Sequence, residues 1–285
     1  MGERLATQSS VFGLMRQYDV HPKKSRGQNF LTDPRVAEKM AAAAQISRDD
    51  FVIEIGPGLG GLTQVLAERA AAVAAVELDK GLVDILREQF RAERRVEIIQ
   101  GDILKTDLCA IMRERGRRTA KVAANLPYYI TTPVIMGLLE SRCPLSRISV
   151  MIQREAAERL AAKPGGKEYG ALSLSAAYYA DVCINAIVPR NCFYPRPNVD
   201  SAIVTLAINS SKQGPVDEEL FFQCVRAAFG QRRKTLVNCL RAQDWVDKDR
   251  EELISLLKQC GFNENIRGEA LSLEDFIRLA QKLKD

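Results

Sequence analysis

Short apolar runs recur along the first two thirds of the chain, each closed by a polar or glycine-rich stretch and followed by residues of helical spacing. Runs at Phe51–Ile55, Val73–Glu77, Val96–Ile99, Lys121–Ala124 and Ile148–Ile152 predict strands, and helices fit in the intervals between them. Pro34 and Pro133 stand near helix starts, where a missing N–H does no harm. Such alternation predicts an α/β fold built on a doubly wound parallel sheet. Two further runs, near Val182–Val188 and Ala202–Ile208, lie close together around the Pro-rich segment Phe193–Asn198. They predict an antiparallel pair at one side of the sheet. Polar Asn209–Pro215 reads as a linker, beyond which the pattern is helical to the C-terminus. The expected organisation is an N-terminal extension over residues 1–20, an α/β domain over 21–209 and a helical domain over 216–285.

Composition and charge narrow the chemistry. At 285 residues and 46% hydrophobic, the chain has enough apolar material for one large and one small core. Lys and Arg number 41 against 36 Asp and Glu, an excess that matters to an anionic partner only where it is clustered. Between Arg226 and Arg241 stand five basic residues, Arg226, Arg232, Arg233, Lys234 and Arg241, and no acidic one. On one continuous helix four of them would fall within an arc of about 100°, beside Phe222, Phe229, Leu236 and Leu240. That is a candidate surface for an anionic partner, although a solvated helix face reads the same way, and Gly230 is a natural place for a break. Lys23, Lys24 and Arg26 would extend it toward the α/β site. A single histidine, His21, excludes Ser-His-Asp and Cys-His triads and multi-histidine metal sites. Seven scattered cysteines without a C-x-x-C pair suit a reduced, cytoplasmic protein and leave no zinc pattern. Residues 1–20 include Glu3, Arg16 and Asp19 and no sustained apolar run, so they read as neither signal peptide nor membrane span.

The first strand runs into Gly56-Pro57-Gly58-Leu59-Gly60-Gly61, which satisfies G-x-G-x-x-G through Gly56, Gly58 and Gly61. Glycines there let the backbone approach a ligand, and Glu77 closes the next strand where a carboxylate can take ribose hydroxyls. A tight strand-to-helix turn would use the same glycines. A dinucleotide and S-adenosylmethionine compete as ligands, and Gly101-Asp102 at the end of the third strand favours the latter, since a carboxylate there can accept from an adenine amino group. The fourth strand delivers Asn125-Leu126-Pro127-Tyr128. The exocyclic amine of an aromatic base is a poor nucleophile because its lone pair is delocalised. An Asn amide oxygen and a backbone carbonyl accept its protons and favour the pyramidal form, Pro127 fixes the backbone, and Tyr128 offers a face for an extruded base.

From His21 to Leu279 the chain resembles the ribosomal RNA adenine N6-dimethyltransferases of the KsgA type. The resemblance is carried by Lys24–Leu31, Gly56–Thr63, Glu77-Leu78-Asp79, Gly101–Leu104, Asn125–Tyr128, Phe193–Ser201, Phe229–Leu236 and Arg267–Ser272. It implies a Rossmann-like class I S-adenosylmethionine methyltransferase sheet with a small C-terminal helical domain. It also implies that Asn29, Leu31, Gly56, Gly58, Glu77, Asp102 and Asn125 hold the methyl donor. Asn125 and the Leu126 carbonyl would hold the target amine, and Tyr128 and Phe193 would sandwich the base. The implied substrate is a pair of adjacent adenosines in a 3′-terminal hairpin loop of 16S ribosomal RNA, within the small subunit or its precursor, and the enzyme is expected to act as a monomer. Two alternatives share some of these motifs: a large-subunit adenine methyltransferase of the macrolide-resistance type, and a non-catalytic RNA-binding or transcription-factor relative.

Overall fold

The computed structural model describes residues 4–23, 26–209 and 217–284. Helix α1 (Gln8–Gln17) begins where the Thr7 hydroxyl accepts from the Ser10 N–H. A two-residue strand, β1 (Phe30–Leu31), leads to α2 (Pro34–Ala43), which has Pro34 at its first position and the Asp33 carboxylate accepting from the Arg35 N–H. The alternating body follows as β2 (Phe51–Ile55), α3 (Gly61–Arg69), β3 (Ala72–Glu77), α4 (Lys80–Gln89), β4 (Val96–Gln100), α5 (Leu108–Glu114), β5 (Ala120–Asn125), α6 (Thr131–Glu140) and β6 (Leu145–Gln153). Next come α7 (Arg154–Leu160), α8 (Ala171–Tyr179), β7 (Ala180–Val188), the short β8 (Phe193–Tyr194) and β9 (Ser201–Ile208). The C-terminal helices are α9 (Glu218–Gly230), α10 (Leu236–Arg241), α11 (Arg250–Gln259) and α12 (Leu273–Lys284).

All seven strands predicted from apolar runs form one sheet, in the order β4, β3, β2, β5, β6, β9, β7. β2 lies parallel to both β3 and β5, and the parallel pairing extends to β4 and β6. β9 runs antiparallel to β6, with Val204 opposite Val150, and separates β6 from the edge strand β7. β2 is buried along its whole length, as a strand with helices on both faces must be, whereas β7 alternates exposed with more buried positions. Val36, Ala37 and Met40 of α2 and Leu62, Val65 and Leu66 of α3 pack on Val52, Val73, Met151 and Ile203. β1 and β8 pair antiparallel as a separate ribbon, Leu31 opposite Phe193, too short for an apolar pattern to reveal.

The chain divides into two compact units, and the division differs from the expected one. The first runs through residue 157 and resumes at Val182–Ile208; the second joins Glu158–Asp181 to the chain from Asn209 onward. Residues 158–181 therefore belong with the C-terminal helices: Tyr178 of α8 stacks on Phe221 at 4.6 Å, and Tyr179 on Phe222 at 5.9 Å. Aromatic burial outweighs chain order here. Residues 4–20 are not a loose extension, since Ala6 and Val11 are buried within the first unit. Of the expected linker, residues 210–215 lie outside the described residues. The stretch Arg226–Arg241 is not one continuous helix; it breaks at Gly230, the position the sequence marked for a break. α9 stops at Gly230 and α10 starts at Leu236, so Arg232, Arg233 and Lys234 occupy the turn between them. Gly230 lacks the Cβ that favours continuation, and the turn lets Leu236, Val237 and Leu240 become buried. The expectation of reduced cysteines fails at one pair: Cys109 at the start of α5 and Cys143 after α6 form a disulfide with Cα atoms 5.4 Å apart. Thirty-four residues separate them in sequence, so only the fold brings them together. Among the described residues no helix is long and apolar enough to cross a membrane.

Candidate active site

Strand order reverses at β2, which has β3 on one side and β5 on the other. An open parallel sheet leaves a ligand crevice at such a point, beyond the carboxyl ends of the strands. A cavity of about 290 Å³ opens there. β2 leaves the sheet through Gly56, Gly58 and Gly60, with φ of +66°, +61° and +82°, a left-handed path that glycine takes without strain. A Cβ on Gly58 would lie 3.2 Å from the Phe30 ring, so bare backbone is needed at this wall. The third glycine of the motif, Gly61, serves packing: its Cβ would come 3.0 Å from that of Ala6. Residues of the N-terminal segment, Leu5 and Val11, complete the same wall of the cavity.

Three acidic side chains line the cavity. Glu77, at the end of β3, accepts from the Gly58 N–H at 3.3 Å and the Asp79 N–H at 2.9 Å. Its burial pushes the carboxyl above the usual range. Glu54, inside β2, is 1% exposed, and its Oε2 has no hydrogen-bond partner among the described residues. Burial, reinforced by the nearby Glu77 charge, pushes it up to about 8. Asp102 follows β4 and accepts from the Leu104 N–H at 3.1 Å. Apolar Leu78, Ile103 and Leu104 stand beside these carboxyls.

β5 ends in Asn125, whose Nδ2 donates to the Asn29 carbonyl at 3.1 Å, while Asn29 donates its own Nδ2 to the Gly27 carbonyl. That bond fixes the orientation of the Asn125 amide, whose Oδ1 is its acceptor. The Leu126 N–H donates to the Met151 carbonyl at 3.1 Å, tying this end of β5 to β6. Pro127 then turns the chain into a 3-10 turn, Tyr128–Ile130. The Tyr128 hydroxyl lies 2.9 Å from the Ser201 hydroxyl, and burial raises its pKa, so the phenol is neutral at ordinary pH.

The cavity thus gathers Asn29, Leu31, Gly56, Gly58, Glu77, Asp102, Asn125, Leu126, Pro127 and Tyr128. Phe193 is not among its lining residues. At 4% exposed it packs in the hydrophobic cluster with Val36, Met40 and Ile203, because its pairing with Leu31 turns it into the core. Lys23 and Arg26 do not form a free basic surface either: both bind the buried Asp79 carboxylate, at 2.5 and 2.9 Å. Lys24 lies outside the described residues. In the other unit Arg226, Arg232, Arg233, Lys234 and Arg241 are all exposed. Arg232 pairs with Glu269 at 3.4 Å, whereas the other four form no ion pair among the described residues. Sequence reasoning missed Glu54, Tyr129, Leu5 and Val11. A carboxylate inside the apolar run Phe51–Ile55 was a readable signal for Glu54, and adjacency to Tyr128 for Tyr129. Leu5 and Val11 carried none, since their place depends on tertiary packing.

A glycine cradle at the switch point, acidic groups closing β3 and β4, and an amide acceptor closing β5 define a class I S-adenosylmethionine-dependent methyltransferase. The ribosomal RNA adenine dimethylase family profile matches residues 20–285, and the chain belongs to that family. It is 47% identical over 270 residues to a ribosomal RNA small subunit methyltransferase A of Lachnoclostridium phytofermentans, covering 94% of this chain and 93% of the relative. A dimethyladenosine transferase from Plasmodium falciparum superposes with a TM-score of 0.76 at 26% identity, over 89% of this chain and 97% of the other. The 23S rRNA methyltransferase ErmE shares the fold, with a TM-score of 0.70 at 24% identity over 90% of this chain and all of the other. S-adenosylmethionine, the methyl donor, suits the cavity: the bare backbone at Gly58 would let it approach, and the Glu77 and Asp102 carboxyls at the ends of β3 and β4 would accept from its hydroxyls and amine.

Proposed function

We propose that this protein dimethylates the N6 amines of two adjacent adenosines in a 3′-terminal hairpin loop of 16S ribosomal RNA, in the cytoplasm, during assembly of the small subunit. The observation that carries this reading is the Asn125–Tyr128 segment at the cavity, with the Asn125 amide oriented by its bond to Asn29. When bound, the donor supplies an electrophilic methyl group. Glu77 takes its ribose hydroxyls and Asp102 its adenine amine, while Asn29, Leu31, Gly56 and Gly58 shape the remaining walls. Asn125 Oδ1 and the Leu126 carbonyl accept the two hydrogens of the target amine and direct its lone pair at the methyl carbon. Tyr128, fixed by Ser201, stacks on the base, and Phe193 backs the site from the core. Alignment does most of the work. The alkylated amine is acidic and loses its proton to water, so no histidine base is needed. Unpaired loop bases are cheaper to extrude than paired ones, which suits a hairpin loop.

Arg226, Arg232, Arg233, Lys234 and Arg241 hold RNA phosphates, and the enzyme works as a monomer on the subunit or its precursor. The large-subunit reading has less support, because relatives above 40% identity carry the small-subunit name. Mapping methylated adenosines in ribosomal RNA from cells with and without the gene tests the proposal. Loss of dimethylation at two adjacent small-subunit adenosines is expected; loss confined to large-subunit RNA overturns it.

A further inference from the structure

Among the described residues Tyr129 is the most exposed of the large hydrophobic side chains, at 59%, and it lines the cavity that receives the target base. The chain has seven tyrosines, and the other six each have a hydrogen bond or ring contact among the described residues: Tyr18 with Glu88, Tyr128 with Ser201, Tyr169 with Leu271, Tyr178 with Phe221, Tyr179 with Glu218 and Tyr194 with Phe12. Tyr129 has neither. Its ring is nevertheless positioned. Pro127 and Tyr128 precede it in a 3-10 turn, where successive side chains point about 120° apart. Tyr128 therefore turns toward Ser201 while Tyr129 turns outward. Gly27 lies against the ring, since a Cβ there would be 3.5 Å from the Tyr129 Cδ1 and 3.5 Å from the Pro127 Cβ. The ring is supported from behind and open in front.

Extruding a base from a loop removes it from the stack, which strips its neighbour of one stacking partner. An aromatic face at the mouth of the cavity replaces that lost contact without regard to base identity. We propose that Tyr129 is the platform for the nucleobase next to the target adenosine, a second RNA subsite beside the one built by Asn125 and Tyr128. This subsite rests on the RNA-methylating reading above. With two adjacent adenosines as substrate, the two consecutive tyrosines hold one in the cavity and its neighbour at the rim.

The test uses the full-length protein with Tyr129→Ala and Tyr129→Phe and a stem-loop RNA carrying 2-aminopurine beside the target adenosine. Donor binding by calorimetry and a thermal melt establish that each variant is folded with its donor site intact. Wild type and Tyr129→Phe should quench the neighbouring probe. Tyr129→Ala should leave it bright, raise KM for RNA roughly tenfold and change kcat far less. A Tyr129→Ala protein with wild-type KM and wild-type quenching overturns the subsite while the methylation reading stands. A wild-type protein that binds the donor but methylates no adenosine in the stem-loop RNA, in small subunits or in their precursors overturns that reading and the subsite with it.

Discussion

Glu54 sits in a strand otherwise made of Phe, Val and Ile, and a carboxylate there would lose more in hydration than the Thr63 hydroxyl returns. The group responds by keeping its proton. Its ordinary value is 4.5, and in the folded protein it is near 8. Between these values the folded state holds a proton that the unfolded state has released, so this group makes stability fall as pH rises through that window and level off above it. Glu54→Gln keeps the shape and cannot ionise. Its melting temperature should therefore decline less steeply than that of wild type between about pH 5 and about pH 9; matching slopes would assign the pH dependence to another group. Phe193 is the opposite case, an expected site residue that the fold uses as core. Phe193→Ala should lower stability by about 3–5 kcal/mol in denaturant titration, as deletion of a buried ring does. A variant of undiminished stability would show that the ring leaves the core for the base.

At the scale of elements, the turn between α9 and α10 changes what the basic cluster can do. On one helix the cluster would have been a stripe, whereas a turn gathers Arg232, Arg233 and Lys234 at a single exposed point. Arg232 leans on Glu269 and the Lys167 carbonyl, so part of its role is structural. Arg233 and Lys234 have no such partner among the described residues. Replacing both with Ala should flatten the salt dependence of RNA binding by roughly one unit of slope per lost phosphate contact and leave the melting temperature unchanged. Unaltered slope in the double variant would remove them from the RNA surface. The paired strands β1 and β8 show what element prediction cannot see: two residues on each side give no periodicity, yet they decide where Phe193 points.

The whole molecule is two units drawn from an interrupted chain. Because α8 packs through Tyr178 and Tyr179 on Phe221 and Phe222, the C-terminal helices cannot be removed cleanly at the linker. A chain ended at residue 209 would expose those rings, and it should melt well below the full protein and aggregate, as followed by light scattering and a thermal melt. A soluble fragment that melts cooperatively at the full-length temperature would place α8 with the α/β unit.

The sequence by itself determined the seven strands, the central ones because strands buried on both faces must be continuously apolar and the edge strands β4 and β7 as runs broken by exposed positions, and it determined where the cavity would lie, because glycines, acids and an amide at strand ends sit at the carboxyl edge of any parallel sheet. Glu77, Asp102, Asn125 and Tyr128 were legible for that reason, whereas Asn29, just ahead of the two-residue β1, came only from the family resemblance. Only tertiary structure decided that Phe193 faces the core, that Asp79 occupies Lys23 and Arg26, that Cys109 meets Cys143 and that residues 158–181 join the C-terminal helices. Each of these depends on contacts between distant parts of the chain, where packing and pairing choose among partners that local periodicity leaves equivalent.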